Sequence, residues 1–150
     1  MRTVVVDKIA SITQARSLSH ELRVADEIPA EEGVIVVVEI LTDKSTYNTL
    51  ELTSGRMAKV VKGDVVVGAL GTRKALFGYS GHVPESVKPG DIIQMLNIGG
   101  VLGICDSANP DKGKPFDCRV LGVVLDFPYL GERIGVPARA GYRQLDYNTS

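Results

Sequence analysis

From Val60 onward the chain breaks into short runs of Val, Ile and Leu, cut about every ten residues by Gly-Asp or Pro-Gly steps. This cadence suits strands joined by tight turns and leaves no stretch long enough for an extended helix. Two of the segments share one design. V-V-K-G-D-V-V-V-G-A-L-G (60–71) and S-V-K-P-G-D-I-I-Q-M-L-N (86–97) each run from an apolar lead-in through a Lys and a Gly-Asp turn into a strand. The likeness has two readings. One is an internal duplication; the other is a turn that suits any strand, because Gly accepts positive φ and Asp bonds nearby amides.

Strands are expected at 3–6, 34–41, 47–52, 65–70, 75–79, 92–97, 101–105 and 118–125. Residues 8–22 carry Ile9, Ile12, Ala15, Leu18 and Leu22 at three- and four-residue steps, a spacing that predicts a short amphipathic helix. The acidic stretch 23–33, with Pro29, reads as a surface loop. The fold class expected is therefore mainly β, a small closed or partly open barrel with one short N-terminal helix. Residues 1–125 form the barrel domain, 1–33 being its N-terminal extension, and 126–150 form an irregular tail or linker.

Composition narrows the function. The 150 residues are 44% hydrophobic and 23% charged, the range of a chain that folds around one core. Lys plus Arg is 17 and Asp plus Glu 18, so the net charge of −1 supplies no global field toward nucleic acid or anionic lipid. Only 5% of residues are aromatic, and none interleave with basic strand positions as a stacking platform for RNA requires. The longest unbroken apolar run is 34–38, far short of a membrane span, and the N-terminal run is too short for a signal segment. A cytoplasmic protein with reduced thiols is expected. Two Cys and two His, at no ligand-like spacing, assign no metal and no cofactor.

The glycines fall in G-x-x-G pairs at Gly68/Gly71, Gly78/Gly81 and Gly100/Gly103. No Walker or G-x-G-x-x-G pattern accompanies them, so they read as places where barrel strands bend rather than as phosphate cradles. Between two pairs lie the cations Arg73 and Lys74, followed by Ser80 and His82. Arg73 offers a bidentate fork, Lys74 a point charge and His82 a ring N–H donor, a set suited to an anion. G-Y-S-G-H around Ser80 lacks the closing Gly of a nucleophile elbow. Gly99 and Gly100 join two apolar strands after Asn97, a turn that either exposes amides to a ligand or simply closes a hairpin. The ligand-binding candidates are thus Arg73, Lys74, Ser80, His82, Gly99 and Gly100, with no catalytic residue assigned. Cys105 and Cys118 flank the turn-rich segment 106–115, which predicts a long-looped hairpin with the two thiols opposite each other.

The segments K-G-D-V-V-V-G-A-L-G, K-P-G-D-I-I-Q-M-L-N-I-G-G-V-L-G and R-V-L-G-V-V-L resemble, over about half the chain, the small β-barrels of translation elongation factors and of rotary ATPase N-terminal domains. The whole chain also resembles the N-terminal barrel that precedes a P-loop nucleotide-binding domain in some uncharacterised prokaryotic proteins. Such barrels bind and assemble rather than catalyse. The resemblance implies an accessory domain of a larger nucleotide-using protein or a homo-oligomer, with a protein partner or a small anionic ligand and no membrane or nucleic acid. Arg133, Arg139 and Arg143 would give the tail a basic docking surface. The competing reading is a small enzyme or anion-binding domain around Arg73, Lys74 and His82, with Asp91 or Asp106 as the acidic partner.

Overall fold

The computed structural model describes residues 2–16, 18–74, 79–108, 113–126 and 135–140. Residues 75–78 of the strand expected over 75–79, with Gly78, and the tail residues Arg133 and Arg143 lie outside them. The described residues form twelve strands: β1 (Arg2–Val5), β2 (Lys8–Ile9), β3 (Glu21–Ala25), β4 (Ile35–Ile40), β5 (Thr49–Glu51), β6 (Met57–Lys59), β7 (Val65–Leu70), β8 (Tyr79–His82), β9 (Ile92–Met95), β10 (Val101–Ala108), β11 (Asp117–Asp126) and β12 (Val136–Pro137). The chain is mainly β, and five of the strands close a ring, β4–β7–β10–β9–β11 and back to β4. All ring contacts are antiparallel except β7 with β10. Beyond the ring, β3 extends β11, β1 extends β3, and β8 extends β10.

In β4 the consecutive residues Ile35, Val36, Val37 and Val38 are all fully buried. Neighbouring residues of a strand face opposite ways, so β4 is covered on both faces, which explains an unbroken β-branched run in place of alternation. At its start β4 is joined edge-on by residues 138–140. Ala138 accepts a bond from the Ile35 amide at 2.9 Å, and the Ala140 amide bonds the Gly33 carbonyl at 2.7 Å. Part of the segment expected to be a tail is thus laid into the sheet.

The two Gly-Asp segments adopt one geometry. Asp64 N bonds Val61 O and Asp91 N bonds Lys88 O, both at 3.1 Å, while Val61 N and Lys88 N are bonded by the carboxylates of Asp64 (3.0 Å) and Asp91 (3.1 Å). Gly63 and Gly90 both have φ 95°, the conformation a type II turn requires at its third residue, and Pro89 occupies the position before it. Each turn then docks on a ring strand by two bonds. Gly63 N reaches Ile40 O at 2.8 Å and Ile40 N reaches Asp64 O at 2.8 Å; Gly90 N reaches Val120 O at 2.8 Å and Val120 N reaches Asp91 O at 2.9 Å.

The registers agree as well. Glu39 faces Val65 and Val38 faces Val66, as Arg119 faces Ile92 and Cys118 faces Ile93. In the β4–β11 ladder Arg119 lies opposite Glu39, and the two side chains bond at 3.1 Å. A local two-fold axis through that pair carries β4, the first turn and β7 onto β11, the second turn and β9. The likeness read in the sequence therefore extends to the strand each turn packs against.

Two expectations are corrected. No N-terminal α-helix forms: residues 8–22 hold β2, a short 3-10 turn (Ser11–Arg16) and the start of β3. Tertiary bonds claim the amides an α-helix would have used. Ala10 N goes to Val67 O at 3.0 Å, Ile12 N to Gly99 O at 3.0 Å, and the buried Thr13 turns both its amide and its hydroxyl onto Ala10 O. Ile9, Ile12 and Leu22 are buried as their spacing predicts, but by other local structure. The hairpin of Cys105 with Cys118 is also absent. Strand β9 lies between β10 and β11, with Gln94 opposite Gly103 on one side and Asp117 on the other, and both thiols are free.

Candidate functional site

Three places bear on function: the polar surface of β8 and β10, the turn at 97–100, and a lysine held among aromatic rings.

On β8 and β10 the register slips between Cys105 and Ser107, leaving Asp106 at a bulge. Bulges re-aim side chains, and here the Asp106 carboxylate meets His82 Nδ1 at 2.8 Å. Both side chains are about half exposed, at 54% and 50%. Arg73 is held alongside by two backbone bonds with Gly81, at 2.9 and 2.8 Å, and its guanidinium bonds Leu96 O at 3.4 Å. Backbone packing in this layer is tight: a Cβ added at Gly81 would lie 2.4 Å from Ile104 O. The structure thus brings His82 and Asp106 together, with Ser80 on the same face of β8, while Arg73, paired with Gly81, sends its side chain to the opposite face toward Leu96, and Lys74 is exposed next to it in the chain. Asp91 is elsewhere, capping its own turn.

Gly99 and Gly100 close the turn between β9 and β10. Leu96 N bonds Val101 O at 2.7 Å, and the buried Asn97 carboxamide accepts the Val101 amide at 3.0 Å. The Gly99 and Gly100 carbonyls accept from Ile12 and Ala69, each at 3.0 Å. Gly100 has φ 95°, and a Cβ there would lie 2.2 Å from that of Ala10. The pair seats the N-terminal segment against the ring and lies apart from the His82–Asp106 surface.

The third place was silent in the sequence. Lys44 Nζ donates to the Tyr79 hydroxyl at 2.7 Å and to Lys114 O at 2.5 Å, and lies 5.2 Å from the Tyr79 ring centre and 5.7 Å from that of Phe116. Tyr47, at φ 52°, tilts against Tyr79 with centroids 5.5 Å apart. A cation over ring faces is stabilised by the ring quadrupoles, while burial lowers the Lys44 pKa from its ordinary value. Burial, with smaller contributions from Tyr47 and Cys105, pushes the Tyr79 phenol up to about 12, so it stays protonated through the neutral range. Lys44 also lines an open groove of about 210 Å³ with Asp43, Ser45, Thr46, Gly113 and Lys114. The cluster ties the loop after β4 to β8 and to the segment before β11. Its one available signal was scarcity, since two of a small aromatic complement meet one cation and a third packs against them.

Among the described residues no group of three or more His, Cys, Asp or Glu is placed to hold a metal ion. No helix of the described residues is long and apolar enough to cross a membrane. The chain matches no family model, no curated protein and no solved structure.

Proposed function

We propose that the chain is a non-catalytic binding or assembly module of the cytoplasm, its ring of strands serving as a small closed barrel of the elongation-factor and rotary-ATPase N-terminal type. It acts as an accessory domain of a larger nucleotide-using protein or as a homo-oligomer, and its outer strand β1 joins a second copy of the chain. The observation that carries this reading is the exposure of that strand. Arg2 and Thr3 are exposed, Val5 is 70% exposed, and among the described residues β1 pairs only with β3.

Val6 N bonds His20 O at 2.8 Å in continuation of the β1–β3 register. Bonded and non-bonded pairs alternate along an antiparallel ladder, so the amides of Thr3 and Val5 point away from β3. An edge of this kind is a template for a further strand, and a two-fold axis makes an antiparallel edge self-complementary. Light scattering coupled to size exclusion tests it. The intact chain should elute as a dimer, and Thr3→Pro, which removes an outward N–H and spares the bonds to β3, should elute as a monomer. A monomeric intact chain at high concentration would contradict the reading.

A second reading has an observation of its own, the 2.8 Å contact of His82 with Asp106. It makes this edge an anion-binding or catalytic site. Titration with inorganic phosphate, followed by amide NMR, would then move Arg73, Lys74, Ser80 and His82 together; an unmoved set argues for the module alone.

A further inference from the structure

The local two-fold axis allows one half of the ring to be read as a template for the other. In the first half, the edge of β7 beside the turn is clamped by residues 7–10. Asp7 N bonds Val65 O and Val65 N bonds the Asp7 carboxylate, both at 2.8 Å; Lys8 Nζ pairs with the Asp64 carboxylate at 2.7 Å; and Ala10 N bonds Val67 O. An acidic residue followed by a cation, on an extended backbone running parallel to β7, caps the turn and its first strand residue together.

The second half repeats the turn, the carboxylate and the strand. Met95 N bonds Phe116 O at 3.2 Å and Val120 N bonds Asp91 O, so by ladder alternation the backbone of Ile92 points away from β11, as that of Val65 points away from β4. Strand β10 takes up the outer edge of β9 only from Gln94 onward, and Cys105 N closes on the Gln94 side chain at 3.0 Å. Ile92 is left 45% exposed, and among the described residues nothing plays the part of Asp7 and Lys8.

We infer that the edge at Asp91 and Ile92 is a docking slot for an extended segment of a partner protein that carries an acidic residue followed by Lys or Arg, bound parallel to β9 as β2 is bound to β7. The partner's carboxylate takes the Ile92 amide, its own amide takes the Ile92 carbonyl, and its cation pairs with Asp91. Main-chain bonds supply affinity and the charge pair supplies selectivity, the mode by which extended peptides extend a sheet edge. The slot is separate from strand β1, so a peptide can bind it whether or not the chain dimerises.

The chain's own clamp provides the probe. A synthetic peptide V-V-V-D-K-I-A, copying residues 4–10, is titrated into the intact protein and followed by amide NMR. Saturable shifts centred on Asp91, Ile92 and Arg119 are expected, with a dissociation constant on the order of 1 mM for so short an interface. The same peptide with Ala-Ala in place of Asp-Lys should bind at least about tenfold more weakly. Ile92→Lys, at an exposed position that leaves the core intact, should abolish the shifts. Shifts confined to β7, shifts unchanged by Ile92→Lys, or none at saturating peptide would each overturn the inference.

Discussion

At residues 61–64 and 88–91 the chain makes the same backbone bonds, yet Asp64 is answered by Lys8 at 2.7 Å while Asp91 has no cation beside it among the described residues. Lys8 and Asp64 are only 18% and 14% exposed. Val65, which follows the first turn, gives its amide to Asp7, whereas Ile92, which follows the second, is 45% exposed. Gly, Asp and an apolar strand dictate the turn; what the turn is worth, and whether its edge is closed, depends on the segment laid over it. One half of the ring is finished by the N-terminus and the other is left with an edge to offer.

The contrast is sharpest at the carboxylates. Asp64→Ala removes the cap of Val61 N and strands a largely buried Lys8, so it should cost about 3 kcal/mol in urea unfolding. Asp91→Ala loses only the cap of Lys88 N and should cost about 1 kcal/mol. Equal losses would mean that the Lys8 clamp adds nothing, and the two halves would be energetically alike.

The glycines should behave the opposite way. Gly63 and Gly90 share φ 95°, and a Cβ at either meets nothing within 4 Å. Gly63→Ala and Gly90→Ala should therefore each cost about 1 kcal/mol, the strain of the left-handed region, and agree within a few tenths. A large difference would show that the backbones are not equivalent. Smallest of all, His82→Ala should change stability by no more than about 0.5 kcal/mol, because its pair with Asp106 is solvent-screened. A larger loss would mark that edge as structurally committed.

Much of the ring was legible because its strands carry their own punctuation. Val65–Leu70 was read with its observed bounds, and β4 and β11 to within a residue at either end. Strand β3 was hidden because Leu22 and Val24, its two inward residues, sit where a helical spacing ends and an acidic, proline-bearing stretch begins. The insertion of β9 between β10 and β11 is a non-local choice that turn chemistry does not encode, and it undid the cysteine hairpin.

The candidate residues show the same division. Arg73 and His82 became candidates through local pattern, with Asp91 and Asp106 as alternative acidic partners, and it is a bulge, which no spacing announced, that brings Asp106 to His82. The Lys44 cluster needs residues 44, 47, 79 and 116 from three separate stretches, so only the fold assembles it.

The most direct test of a ring with one closed half and one open half is amide hydrogen exchange at Val65 and Ile92, the two residues that follow the turns. Val65, bonded to the Asp7 carboxylate, should be protected, and Ile92 should exchange about a hundredfold faster or more. Ile92 as slowly exchanging as Val65 would mean that its edge is already satisfied within the chain and that the ring has no open half.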